Sequence, residues 1–202
     1  MPISRFQSDP SRKGRELETF EAIRKRCSLK THLSKRAIEP DKVNLILDAA
    51  RLAPSASNMQ PWRFVLVQEE KAIDELATAF NETNQEVREA PLLIVICARE
   101  EDDVTRNGKP YYLFDAGLAV ENLLLAATDL GLVTHLILSF DEGEIKRILE
   151  IPDEYRVVLA TPLAYPAEPS YDEAAEERLR DRTRKDLGEI THYGKWGSGG
   201  PV

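Results

Sequence analysis

Arg26, Ser28 and Lys30 occupy alternate positions in the basic run "RKRCSLKTHLSKR" (residues 24–36), with Cys27 inside the same segment. In extended chain, alternate side chains leave on one side. Two cations and a hydroxyl presented together suit a single phosphate, held by charge-assisted hydrogen bonds. The plain alternative is a basic run at a helix end that complements the dipole and solvates a surface.

A second stretch, "APSASNMQPWRFVLV" (residues 53–67), separates an amphipathic helix from a buried strand by far more chain than a turn needs. Ser55, Ala56 and Ser57 are small enough for the backbone to approach a planar ligand. Asn58 and Gln60 offer amide donors and acceptors to its polar edge, and Pro54 and Pro61 stiffen the segment. A helix-capping loop built from turn residues is the alternative.

Other chemistries are poorly supported. His32, His135 and His192 are scattered and have no metal-type spacing. His135 falls in a strand pattern and reads as a satisfied core histidine. There is no G-x-S-x-G elbow, no Walker loop and no G-x-G-x-x-G following a strand.

The elements that must carry these residues follow from periodicity. A helix is expected from Leu17 to about Arg26. A second opens at Pro40 and Asp41, with Val43, Ile46, Leu47 and Ala50 on one face. "WRFVLVQ", "APLLIVICA", "VTHLILSF" and "YRVVLATPLAYP" read as strands. Helices are expected near Ala72–Phe80 and over Glu142–Leu149, the latter capped by Asp141. Asn107-Gly108 marks a turn in a polar loop, and Gly131 ends a long apolar helix. That helix, "LFDAGLAVENLLLAATDLG", needs cover on every side, which a homodimer placing it at a two-fold interface would supply. One α/β domain with a C-terminal extension is the simplest account.

Composition bounds the function. The chain has 202 residues, 42% apolar and 31% charged, with a net charge of −8. That field repels polyphosphates, so nucleic-acid binding is not expected. Cys27 and Cys97 lie about 70 residues apart without metal spacing, which fits a reducing cytoplasm. The N-terminal residues have no apolar core of a secretion signal. The apolar stretch Leu113–Leu130 contains Asp115, Glu121, Asn122 and Asp129, each costly in hydrocarbon, so no membrane span is expected.

"RCSLKTH", "APSASNMQPWRFVLV" and "DAGLAVENLLLAATDLGL" together resemble the nitroreductase family of FMN-dependent oxidoreductases, over roughly residues 17–166 and on into "RTRKDLGEITHYGKW". The resemblance implies an α+β, three-layer α/β/α fold: a central, mainly antiparallel sheet flanked by helices, in an intertwined homodimer. Residues 1–202 would form one domain, with residues 1–15 loose and about 167–202 wrapping the partner. Two FMN molecules would sit at the interface, their phosphate and ribityl chains held by Arg26, Ser28 and Lys30. Lys30 stands where an arginine is usual; it keeps the charge and loses the bidentate fork.

Pro54–Asn58, with Gln60, would contact the flavin from the partner subunit. Asn84 would lie near the ring. Leu138 and Ser139, where relatives commonly have glycines, would offer backbone N–H groups to its N5 edge. Arg184, with Lys185, matches a late basic residue that binds phosphate. The implied chemistry is hydride transfer from NADH or NADPH through FMN to a nitro, quinone or similar small-molecule acceptor. It needs no side-chain nucleophile, because the cofactor does the hard chemistry. Dehalogenation, flavin fragmentation or dehydrogenation on the same fold, and a flavin-binding dimer without turnover, stay open.

Overall fold

The computed structural model describes residues 19–167 and 183–198. The chain divides into two compact units, residues 1–170 and 171–202. In the first, the helices are α1 (Thr19–Lys25), α2 (Pro40–Arg51), α3 (Glu70–Ala77), α4 (Tyr112–Asp129) and α5 (Glu142–Leu149). Its strands are β1 (Leu33–Ser34), β2 (Trp62–Val67), β3 (Leu92–Ala98), β4 (Thr105–Arg106), β5 (Lys109–Pro110), β6 (Val133–Thr134) and β7 (Arg156–Pro166). The described part of the second unit holds one short helix, α6 (Leu187–Ile190), opened by a capping box between Asp186 and Glu189.

β3 carries no charged side chain and is buried along its whole length, as a strand covered on both faces must be. The sheet order is β1-β7-β3-β2, with β6 also on β7, and every pairing is antiparallel. The two-residue period of β3 divides the core. Leu92, Ile94 and Ile96 join Val43 and Ile46 of α2 and Leu123 and Leu124 of α4. Leu93, Val95 and Cys97 join Ile73 and Leu76 of α3 and Ile145 of α5. The result is the α+β, three-layer α/β/α arrangement with a mainly antiparallel centre.

Local signals set the boundaries. Pro40 opens α2, where its missing N–H has no partner to lose. Gly131, at φ +75°, follows α4, a left-handed conformation that favours glycine. The Asp141 side chain accepts from the Glu144 N–H at 3.0 Å and caps α5. Asn107 and Gly108, with φ of 53° and 71°, form the turn between β4 and β5.

Two expectations need correction. The helix expected at Ala72–Phe80 runs over Glu70–Ala77 instead. The strand expected from Val133 to Phe140 pairs only at Val133–Thr134, with single bridges at Ile137 and Phe140. Opposite the gap stand Thr161 and Pro162, and Pro162 has no N–H to give. The His135 N–H turns to the Thr161 hydroxyl at 3.3 Å.

Part of the long apolar helix is covered by its own chain. The C-terminal half of α4 is buried within its own chain, including Leu123, Leu124 and Ala127. Its exposed large apolar side chains lie in its first turn, where Leu113 is 50% and Phe114 61% exposed. α1 packs on α4 and adds exposed Phe20 and Ile23. Among the described residues, no helix is long and apolar enough to cross a membrane. Residues 1–15, expected to be loose, and residues 168–182 of the expected partner-wrapping tail lie outside the described residues.

Candidate cofactor site

The basic segment lies along the outer edge of the sheet. Leu29 is buried, its N–H donates to the Thr134 carbonyl at 3.0 Å, and Ser28 forms a parallel bridge with Thr134. Burying Leu29 on one side turns Ser28 and Lys30 to the other, as alternation in extended chain requires. Ser28 is exposed; Arg26, Cys27 and Lys30 are partly buried.

His135 ties this edge to a third element. Its Nε2 lies 3.2 Å from the Asn84 Oδ1, and the Asn84 Nδ2 donates to the Asn81 Oδ1 at 2.7 Å. That orientation makes the Asn84 oxygen the acceptor and puts the imidazole proton on Nε2. Burial, and then the charge of Lys30, push the His135 pKa down, so the neutral ring is favoured. Its Nδ1 is sealed from solvent without a hydrogen-bond partner. The satisfied core histidine expected from the sequence is satisfied at one nitrogen only.

The loop at residues 53–61 is built otherwise. Ser57, Asn58 and Gln60 have φ of 51°, 59° and 52°. Left-handed conformations at residues other than glycine cost about 1–3 kcal/mol each and persist only where surroundings over-determine them. The surroundings are evident. Ala53 and Trp62 pack against Ala119 of α4 at the two ends. The Gln60 N–H donates to the Ser55 Oγ at 3.0 Å, and the Gln60 Nε2 donates to the Asn58 carbonyl at 3.0 Å. The Ala56 N–H donates to the Asp115 Oδ2 at 2.6 Å. Ser55 and Gln60 therefore brace the loop, while Ser57 and Asn58 are exposed beside Pro54.

Asp115 is 1% exposed. Beside it, Asp103 accepts from the Val104 N–H at 2.7 Å through Oδ1, and its Oδ2 is sealed without a partner. Burial first, then Asp115, raise the Asp103 pKa. Among the described residues, no group of histidine, cysteine and carboxylate side chains could hold a metal ion.

A family model for the nitroreductase family matches residues 23–89 and 82–165, segments that contain both the sheet-edge cluster and the loop. The chain belongs to the nitroreductase family. A solved nitroreductase family protein from Clostridium novyi NT is 35% identical, with a TM-score of 0.71 covering 91% of this chain and 97% of that one. A relative from Archaeoglobus fulgidus, named as a candidate NADH dehydrogenase/NAD(P)H nitroreductase, is 31% identical over 84% of this chain and 98% of its own. A solved structure described as an oxidoreductase containing FMN is 25% identical, with a TM-score of 0.73 over 88% of this chain and 92% of that one.

Within this nitroreductase-family fold, the residues singled out in the sequence fall in distinct places. Ser28, Lys30 and Asn84 meet through Thr134 and His135 at the sheet edge. Pro54–Asn58 and Gln60 stand on α4 and the start of β2. Leu138 and Ser139 are exposed between two anchors, the Ile137 N–H on the Ala160 carbonyl and the Asp141 N–H on the Ala79 carbonyl, both 2.8 Å. Arg184 and Lys185 belong to the second unit and are exposed there. The sequence reading passed over Asp103 and gave neither Asp115 nor His135 a place in the site. A carboxylate in an apolar helix was the available signal for Asp115; Asp103 had none, lying in an acidic loop.

Proposed function

We propose that the chain is an FMN-dependent oxidoreductase, working as a homodimer, that uses NADH or NADPH to reduce a nitro, quinone or similar small-molecule acceptor. The observation that carries this reading is the meeting of Ser28, Lys30 and Asn84 on one sheet edge around His135. Family membership and the FMN-containing relative support it.

The residues present fit the cofactor. Arg26, Ser28 and Lys30 would hold its phosphate. The sealed Nδ1 of His135 is a spare acceptor suited to a ribityl hydroxyl. Asn84, held by His135 and Asn81, would face the ring, with the Leu138 and Ser139 N–H groups toward its N5 edge. Pro54, Ser55, Ala56, Ser57 and Asn58, with Gln60, would close the ring's site from the partner subunit. When bound, FMN supplies the hydride and electron transfer. The protein's own residues orient it and counter its phosphate inside a molecule of net charge −8. The dimer reading rests on Phe20, Ile23, Leu113 and Phe114, an exposed apolar group on two packed helices.

A cytoplasmic setting fits two cysteines that form no disulfide, with burial pushing the Cys97 thiol up to about 11. The purified protein should be yellow and release FMN, not FAD, on denaturation. NADH or NADPH should bleach the flavin anaerobically, and an acceptor should restore it. Colourless protein that takes up no FMN on titration overturns the proposal. A flavin that neither nicotinamide reduces leaves only a binding dimer.

A further inference from the structure

Arg106 and Lys109 stand directly opposite each other in the two-stranded β4–β5 ladder. Opposite residues of an antiparallel pair share a face, with Cβ atoms about 4.5–5.5 Å apart, and like charges so placed repel. Every residue of both strands is exposed. Among the described residues, neither cation has a carboxylate partner; the Arg106 Nη1 donates to the Thr105 carbonyl at 3.4 Å. The nearby Arg63 and Arg99, by contrast, both pair with Asp102. The turn keeps the two free cations together, because Asn107 and Gly108 take the left-handed conformations of a tight hairpin.

The loop at residues 53–61 is tied to the chain on both flanks of this hairpin. Before it, Asp102 accepts from the Arg63 Nη2 at 3.3 Å, and the Arg63 Nη1 donates to the Gln60 carbonyl at 3.2 Å. After it, Asp115 of α4 accepts from the Ala56 N–H at 2.6 Å. The Tyr111 N–H closes the base of the hairpin on the Val104 carbonyl at 3.1 Å. We propose that Arg106 and Lys109 form a docking site for the pyrophosphate group common to NADH and NADPH, presented by the same subunit as the loop. Charge and place select this ligand. A pyrophosphate lying across the two cations removes their repulsion and gains two charge-assisted contacts. A molecule of net charge −8 repels a dinucleotide at long range, so a local pair of cations is needed wherever one must rest. The function proposed above puts the flavin ring against the loop, and a nicotinamide must lie on that ring to pass hydride. The identity of the ligand rests on that function; the anion site itself requires only the hairpin.

The test replaces both cations in the full chain, Arg106→Gln together with Lys109→Gln. Both positions are exposed, so the variant should fold with a thermal midpoint equal to that of wild type or slightly higher. In anaerobic stopped-flow reduction of the flavin, it should need about five- to thirty-fold more NADH or NADPH for half-saturation, at an unchanged limiting rate. N-benzyl dihydronicotinamide carries the same ring and no phosphate, and should reduce both proteins alike. Raising the ionic strength should weaken NADPH saturation in wild type and not in the variant. Equal half-saturation by NADPH in the two proteins overturns the proposal. A loss with the phosphate-free donor as large as the loss with NADPH overturns it too. Should the double variant fail to fold, Lys109→Gln alone makes the same comparison with a smaller shift. If the protein takes up no FMN, the function proposed above fails, and calorimetric titration with ADP-ribose reads the hairpin by itself. Binding by wild type that the variant lacks keeps the pyrophosphate site; equal binding, or none, overturns it.

Discussion

The sheet-edge segment 26–30 and the loop 53–61 solve opposite problems. The first is regular: ladder-type contacts to Thr134 and the burial of Leu29 fix which way Arg26, Ser28 and Lys30 face. No residue of it has a positive φ. The second is irregular, with three left-handed residues held by a carboxylate, by its own side chains and by the packing of Ala53 and Trp62. A phosphate needs charges at fixed spacing, which an edge strand supplies without strain. A flat ring needs backbone brought close in an unusual path, which only an over-determined loop maintains. In the function proposed here, charge placement and shape placement fall to different structural devices.

If the two regions meet only across a dimer, separating the subunits should remove the site entirely. Phe114→Asp puts a charge into the exposed apolar group on α1 and α4, at a position 61% exposed within its own chain. It is expected to yield a folded monomer that no longer retains stoichiometric FMN. Sedimentation and circular dichroism check both halves of that statement. Leu124, buried at 4% exposure in its own core, is a poor probe, because a charge there would unfold the chain. A wild-type monomer with full FMN occupancy at micromolar concentration refutes the shared site.

On the charged side, Arg26→Ala should weaken FMN binding about ten- to a hundred-fold, since charge-assisted hydrogen bonds contribute roughly 1.5–3 kcal/mol. Fluorescence titration reads this directly, and unchanged affinity would make the basic run a solvated surface. On the shaped side, the comparison is between substitutions at Ser57, where φ is 51°. Ser57→Val, β-branched in a left-handed position, should lower stability by about 1–3 kcal/mol, whereas Ser57→Gly should leave it unchanged or raise it slightly. Chemical denaturation of both variants tests the claim; equal stabilities would remove strain from the account of this loop.

The same contrast explains what could be read from the sequence. Local chemistry was legible: Gly131, Asn107-Gly108, Pro40 and the Asp141 cap each act within a few residues of themselves. The elements followed from periodicity, because β3 and the faces of α2 and α5 carry their burial pattern in single residues; the three-layer arrangement came from the family resemblance. The alternate spacing of Arg26, Ser28 and Lys30 also needed only the two-residue period. What escaped was set by distant partners. The strand at 133–140 breaks because Thr161 and Pro162 lie opposite, and α4 is covered by α2, far away in sequence. His135 meets Asn84 at 3.2 Å and feels the charge of Lys30, pairings that no window of the sequence contains.

The smallest expected effect is the sharpest test of the charged region. Lys30 stands where the family resemblance puts an arginine, and it also faces His135, lowering its pKa second to burial. Arginine keeps the charge and adds a planar fork, so Lys30→Arg should bind FMN as tightly as wild type or up to about three-fold more tightly. The imidazole supplies an independent readout. A histidine whose folded pKa lies below its ordinary 6.5 contributes stability above pH 6.5 that is lost as pH falls toward the folded value. Lys30→Arg preserves the neighbouring charge and should preserve this acid-side loss; Lys30→Gln removes one of its two causes and should reduce it. Thermal midpoints from about pH 7.5 down to 5 separate the variants, in the range where histidine titrates. An arginine variant that loses FMN affinity ten-fold would mean that the site requires the compact ammonium beside His135. The sheet edge would then impose shape as well as charge.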